Sequence, residues 1–300
     1  MVDNFSDLII KDILKKESAL IVGLDPNPAY FPLCLLEKGQ DSKAIAKAIW
    51  EFNQLIIDVV NPHVVAVKPQ LAYYEVFGSD GIYALEKTIS YAKSKGLLVI
   101  NDAKRGDIGP TATTYAKAFL GDSPLSGHGV TVSPYLGTDG ILPFLKEGTD
   151  QRKGIFVLLK TSNPSASELQ DLQLKTGEKL YQRLAELFDP IAKETMGHYG
   201  YSNLGVVVGA TYPQDASYIR DSLKHSLFLV PGYGAQGGKA KELTGYFDEN
   251  GMGALVSSTR GIIYSYIQKN EEWAHLNKKE IQESIEEAVL DAKREINAVR

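Results

Sequence analysis

The sequence predicts an α/β fold, a (β/α)8 barrel built as one domain over residues 1–300, and three observations carry that expectation. Eight short β-type runs recur along the chain, helix-forming segments separate them, and most of the runs end on polar residues. Several runs are continuously apolar, as expected of parallel strands buried on both faces. In such barrels the reactive groups gather at the C-terminal strand ends.

The elements follow in order. A helix over residues 4–17 precedes the first strand, with Ser6 as its cap and Leu8, Ile9, Ile13 and Leu14 as its apolar face. Strands are expected at Leu20–Leu24, Val64–Lys68, Leu97–Asp102, Gly129–Val132, Gly154–Lys160, Leu204–Gly209, Leu227–Pro231 and Gly253–Ser258. Helices are expected at Ser42–Val60, Asp80–Lys95, Thr111–Leu120, Thr138–Lys146, Asp171–Met196, Pro213–Leu223, Lys239–Phe247 and Lys278–Ala298. The last shows Ile281, Ile285, Ala288 and Val289 on one stripe, the pattern of a helix covering a barrel.

Composition narrows the function classes. With 44% hydrophobic and 23% charged residues the chain can bury a sizeable core. A net charge of −5 and the lack of a long Lys/Arg block leave no electrostatic footprint for nucleic acid. Cys34 is the one cysteine, which excludes an intramolecular disulfide and a multi-cysteine zinc site and suits a reducing cytoplasm. No 18-residue apolar run and no signal-peptide pattern is present, so neither a membrane span nor export by that route is expected.

The most informative stretch is Asn101-Asp102-Ala103-Lys104-Arg105-Gly106-Asp107-Ile108, entered directly from an apolar run. Side chains two apart on a strand share a face, so Asp102 and Lys104 project together where the strand ends. Asp107 follows in the loop. A lysine held between carboxylates stays protonated, and a further anion brought beside those carboxylates is repelled. An ordinary surface ion pair, contributing about 0–1 kcal/mol, is the plain alternative for this stretch alone.

Other strand ends carry Asp25, Lys68, Thr161 with Ser162, Pro231 and Arg260. Gly232-Tyr233-Gly234-Ala235-Gln236-Gly237 matches G-x-G-x-x-G, but it lies near the C-terminus with one strand to come and no acid to hold a ribose hydroxyl, which argues against a dinucleotide fold. A loop whose backbone N–H groups approach a phosphate fits better, with Gln236 donating from its amide and Arg260 closing a bidentate fork.

Together these positions closely resemble the orotidine 5'-phosphate decarboxylase family, in particular its longer bacterial group. The hallmark Asp-x-Lys-x-x-Asp-Ile stands as Asp102 to Ile108, followed by Thr111, and the resemblance runs from Gly23-Leu24-Asp25 through Val67-Lys68 and Pro231 to Gly238, ending at Ser258-Thr259-Arg260-Gly261. It implies decarboxylation of orotidine 5'-phosphate to uridine 5'-phosphate in pyrimidine biosynthesis, without metal or cofactor. It further implies that Lys104 protonates C6, that Asp102 and Asp107 complete the charged array, and that Asp25, Lys68 and Thr111 serve the ribose. By the same resemblance Ser162 would read the pyrimidine edge, Pro231 would pack near the base, and Gln236 and Arg260 would hold the phosphate. Asp107, Ile108 and Thr111 reach a neighbouring subunit's site in this family, which implies a homodimer with shared sites.

Two departures stand out: Gly109 separates Ile108 from Pro110, and the segment around Ser162 is expanded. A Mg²⁺-dependent sugar-phosphate decarboxylase of the same superfamily is the nearest rival, with Glu75 its candidate extra ligand. A non-catalytic nucleotide-binding barrel is the alternative from another class. His63, His128, His198, His225 and His275 lack metal-ligand spacing and read as loop or surface residues. Trp50 and Trp273 read as packing, and Tyr73 and Tyr74 as candidates for a subunit interface.

Overall fold

A computed structural model of the chain describes residues 3–36, 41–234 and 237–300. Eight parallel strands follow in chain order: β1 (Leu20–Leu24), β2 (Ala66–Pro69), β3 (Leu98–Arg105), β4 (Gly129–Val132), β5 (Gly154–Lys160), β6 (Leu204–Val208), β7 (Phe228–Val230) and β8 (Ala254–Ser258). The sheet closes as β8 pairs back onto β1, Leu20 beside Val256 and Val22 beside Ser258. The predicted barrel is thus present.

Period-two alternation sorts the side chains into two cores. In β6, Leu204, Val206 and Val208 join the core between strands and helices, whereas Val207 joins a separate cluster in the lumen. Ile21, Ala66, Leu98, Ile100, Phe156, Leu229 and Leu255 are among the strand residues that join it there. Phe156 needs room across the barrel, and Gly205 provides it: a Cβ there would lie 2.6 Å from the Phe156 ring.

The helices α1 (Phe5–Lys16), α2 (Ser42–Val60), α3 (Ala72–Glu75), α4 (Gly78–Ser94), α5 (Gly109–Leu120), α6 (Leu142–Asp150), α7 (Leu180–Glu194), α8 (Pro213–Ser222), α9 (Arg260–Ile263), α10 (Ser265–Lys269) and α11 (Lys278–Asn297) complete the fold. α1 closes the N-terminal end of the barrel. Its Phe5, Ile9, Ile10 and Ile13 pack on the lumen layer, and Phe5 meets Phe156 edge to face with centroids 5.9 Å apart.

Near that end, Arg220 of α8 is buried over the Phe228 ring at 3.5 Å and donates to the carbonyls of Leu223, Ser226, Tyr246 and Gly253. Burial lowers its pKa to about 10, so it remains a cation at neutral pH. Hydrogen bonds from one rigid fork therefore tie three segments together.

His128 lies in the loop just ahead of β4, as expected, and is partly buried there. Its Nδ1 accepts the Val99 N–H at 3.0 Å, and burial, with Lys93 and Lys153 nearby, lowers its pKa to about 4. The unfolded imidazole titrates near 6.5, so between those values the unfolded chain binds the extra proton and stability falls as pH drops. Between pH 7 and 4 this group is expected to remove about 3 kcal/mol of stability. Denaturant unfolding of His128→Asn, which can keep the acceptor, should show correspondingly weaker pH dependence. An unchanged pH dependence would refute this assignment.

Other expectations need local revision. The cap of α1 is Asn4, which accepts from Asp7 N, while Ser6 donates to the Tyr201 carbonyl at 2.6 Å. Lys239–Phe247 forms two 3-10 turns, Ala240–Glu242 and Thr244–Tyr246, in place of a helix. Gly245 lies inside the second turn at a close approach, where a Cβ would lie 2.7 Å from Ser217 Oγ. The helix expected from Asp171 begins only at Leu180, because Gly177, at φ +102°, turns the chain first. Thr138–Gly140 is a 3-10 turn ahead of α6. Tyr74 is fully buried, with its hydroxyl accepting from Asn53 Nδ2 at 2.9 Å, so it cannot line a subunit interface.

Candidate active site

Asp102 is the hub of the C-terminal mouth. Lys68 Nζ and Gln70 Nε2 donate to its Oδ2 at 2.8 and 3.0 Å, while Lys104 Nζ and Thr131 Oγ1 donate to its Oδ1 at 2.5 and 3.1 Å. Burial alone would push this carboxyl up, but the Lys68 and Lys104 ammonium groups outweigh it and hold Asp102 well below the usual carboxylate range. Burial likewise pushes Lys68 down, and Asp102 and Asp25 more than reverse it. Asp102 is therefore an anion and Lys68 a cation throughout the neutral range.

The backbone brings Lys104 into this array by an unusual route. The pairing of β3 with β4 shifts register between Asn101 and Arg105, and Lys104 adopts φ +47°. A left-handed conformation at a non-glycine residue costs on the order of 1–3 kcal/mol and persists where surrounding contacts hold it. Here the holding contact is Thr131 Oγ1, which accepts the Lys104 N–H at 2.9 Å while donating to Asp102. One buried hydroxyl on β4 thus fixes both members of the Asp102–Lys104 pair.

A cavity of about 480 Å³ opens over the array. Asp25, Lys68, Asp102, Lys104, Ser162, Pro231 and Arg260 line it, as does Thr131, and Leu158, Val207 and Leu229 contribute its apolar lining. Asp25 Oδ1 is buried and, among the described residues, has no hydrogen-bond donor. Burial raises the Asp25 pKa and Lys68 opposes that rise. The site therefore keeps a vacant acceptor beside a cation, suited to receive a hydroxyl group.

Seven of the expected site residues thus share one cavity. Asp107, Ile108 and Thr111 do not line it: Asp107 Oδ1 accepts from Ile108 N at 2.8 Å, Ile108 is 54% exposed, and Thr111 is exposed at the start of α5. Gln236 lies outside the described residues. The flanking glycine loop is anchored from behind, where the Tyr233 hydroxyl donates to Glu295 Oε2 of α11 at 2.5 Å. Gly232 and Gly234 flank that tyrosine at φ +98° and +75°, backbone that glycine adopts readily.

Sequence reasoning missed Gln70, Thr131 and Gln170, all of which line the cavity. No spacing rule reveals them, because each reaches its partner across strands or around a loop.

Comparison with known proteins identifies the family. Residues 18–275 match the Orotidine 5'-phosphate decarboxylase / HUMPS family. The chain belongs to that family. Among its family relatives, the orotidine 5'-phosphate decarboxylase of Caldicellulosiruptor bescii is 42% identical, with 95% of this chain and 99% of the relative aligned. That of Rhodopirellula baltica is 44% identical over 87% of this chain and 88% of the relative. The solved OMP decarboxylase of Leishmania donovani superposes with a TM-score of 0.76 at 29% identity, covering 99% of this chain and 98% of that one. Among the described residues no helix is long and apolar enough to cross a membrane.

Proposed function

We propose that this chain, acting as one barrel unit over residues 1–300, decarboxylates orotidine 5'-phosphate to uridine 5'-phosphate in the reducing cytoplasm. The observation that carries the reading is the Lys68–Asp102–Lys104 array at the mouth of a cavity that also holds Arg260. In the reaction the C6–carboxylate bond breaks, CO2 departs, and the bonding pair remains on C6 as an sp² carbanion. Lys104 donates a proton from Nζ to that carbon and is reprotonated from solvent. Asp102 is already saturated with donors, so it gains nothing from a substrate carboxylate beside it and repels it.

Fixed charges of this kind need no reorganisation as the carbanion develops. Asp25 and Lys68 take the ribose hydroxyls, supported by the vacant Asp25 acceptor. Ser162 and Pro231 face the base, Arg260 takes the phosphate, and Gln236 belongs to the same phosphate loop. No cofactor is needed for this chemistry, since the proton donor and the stabilising charges are side chains.

We further read the protein as a homodimer in which Asp107, Ile108 and Thr111 complete the partner's site. Ile108, Pro110, Leu142 and Pro143 line one open, largely apolar depression beside α5 and α6. Contiguous exposed apolar surface of this kind marks an interaction face.

The Mg²⁺-dependent sugar-phosphate reading fits less well. Glu75, its candidate ligand, pairs with Arg105 and does not line the cavity. Full turnover of orotidine 5'-phosphate in the presence of a chelator is expected; loss of activity on chelation would favour the rival. A non-catalytic nucleotide binder would bind uridine 5'-phosphate with no turnover at all.

Arg260 supplies the direct test of the phosphate end. Arg260→Ala should cost on the order of 1.5–3 kcal/mol in kcat/KM on orotidine 5'-phosphate, the scale of a charge-assisted hydrogen bond. Orotidine, which has no phosphate, should lose little. Added phosphite should raise orotidine turnover in the wild type and do so poorly in the variant. Equal losses on both substrates would show that Arg260 supports the fold or the chemistry in general.

A further inference from the structure

Lys160 ends β5, one residue before the cavity wall, and its side chain is fully buried. Its ammonium does not enter the cavity. It lies 2.7 Å from Asp171 Oδ1 and 3.8 Å from Asp215 Oδ2, over the rings of Tyr212 at 4.4 Å and Tyr181 at 5.1 Å. Tyr181 in turn donates to Asp215 at 3.2 Å, and Lys179 approaches Asp171 at 3.3 Å. A buried ion pair is costly to form and is weak evidence for a role in stability alone. What this one joins is informative.

Asp171 belongs to the long connection between β5 and α7, whereas Tyr212 and Asp215 belong to the end of the β6–α8 connection and the first turn of α8. The first supplies residues of the cavity wall, and the second packs against them. Gln170, next to Asp171, accepts from Thr161 N at 2.9 Å and donates to Thr161 Oγ1 at 2.7 Å. Thr161 Oγ1 donates to Asn163 Oδ1 at 2.7 Å. From the other side, Thr211 Oγ1 donates to the Ser162 carbonyl and Tyr212 to the Asn163 carbonyl, both at 3.2 Å. The backbones touch as well: a Cβ on Gly209 would lie 2.7 Å from Ser162 N.

We infer that Lys160 is a positioning residue whose buried ammonium clasps these two connections and so sets Thr161, Ser162, Asn163 and Gln170 against the nucleobase. The inference rests on the cavity being a nucleotide site, as proposed above. It gives a purpose to the expanded segment after β5: the extra chain supplies Gln170 and Asp171, one to brace the wall and one to hold the clasp. The clasp lies outside the reacting atoms, so its effect falls on recognition of the base.

The test is a split between two competitive inhibitors of orotidine 5'-phosphate turnover, uridine 5'-phosphate and ribose 5-phosphate. The second keeps the sugar phosphate and lacks the base. Asp171→Ala should weaken uridine 5'-phosphate on the order of tenfold, the scale of one hydrogen bond to the base, and leave ribose 5-phosphate within about twofold. Asp171→Asn, which retains an acceptor for Lys160, should recover most of the loss. Gln170→Leu, which cuts the chain one link further on and leaves the ion pair intact, should give the same split and serves if Asp171→Ala does not fold. Equal weakening of both inhibitors, or no weakening of either, would overturn the inference. Failure of the wild type to bind uridine 5'-phosphate would instead overturn the nucleotide reading, and this inference with it.

Discussion

Lys104→Ala is expected to fold as the parent does and to lose at least about a thousandfold in kcat, equivalent to about 4 kcal/mol of transition-state stabilisation. The Lys104 side chain is 46% exposed at the cavity mouth, so its removal leaves both cores untouched. Asp102 keeps Lys68, Gln70 and Thr131 as donors and stays in place. What disappears is the cation beside the reacting carbon and the proton that would quench it. A purified variant that decarboxylates within about tenfold of the wild type would refute the central role given to this lysine.

The second large effect is a recovery. Asp107→Ala alone should be nearly inactive, as should Lys104→Ala, yet a mixture of the two should regain activity once subunits exchange. In the mixed dimer one site would carry both lesions and the other neither, because under the proposed shared arrangement each site takes Lys104 from one chain and Asp107 from its partner. With random exchange half the dimers are mixed, so about a quarter of all sites are restored in an isologous pair. Activity that stays absent while mixed dimers are demonstrably present would place Asp107 outside the partner's site.

Much of the barrel was legible because its strands are short apolar runs with polar or glycine edges. Leu20–Leu24, Gly129–Val132 and Gly154–Lys160 stand where the sequence places them, as does α2 at Ser42–Val60 behind its Asp41 cap. The pairing of Asp102 with Lys104 was also legible, although the route was not. Alternation assumes a regular strand, whereas this one shifts register and turns left-handed at Lys104, held by a hydroxyl from β4.

Contacts between distant segments stayed hidden for the same reason. Gln70 meets Asp102 only because β2 and β3 align them, and Thr131 does so from β4. Local pattern likewise favoured a helix from Asp171, but that residue turns inward to Lys160 and the chain bends at Gly177 before α7 begins. The bond from Val99 N to the His128 ring was hidden likewise, because it depends on how β3 and β4 close, which no local window contains.

The plug formed by α1 has a consequence for traffic through the barrel. Phe5, Ile9, Ile10 and Ile13 stopper one end against a filled lumen, so among the described residues the barrel opens only at its C-terminal mouth. Substrate, carbon dioxide and nucleotide product must all use the same doorway under the proposed reaction. Under that reaction, whatever covers the nucleotide at this mouth also stands in the path of the departing gas.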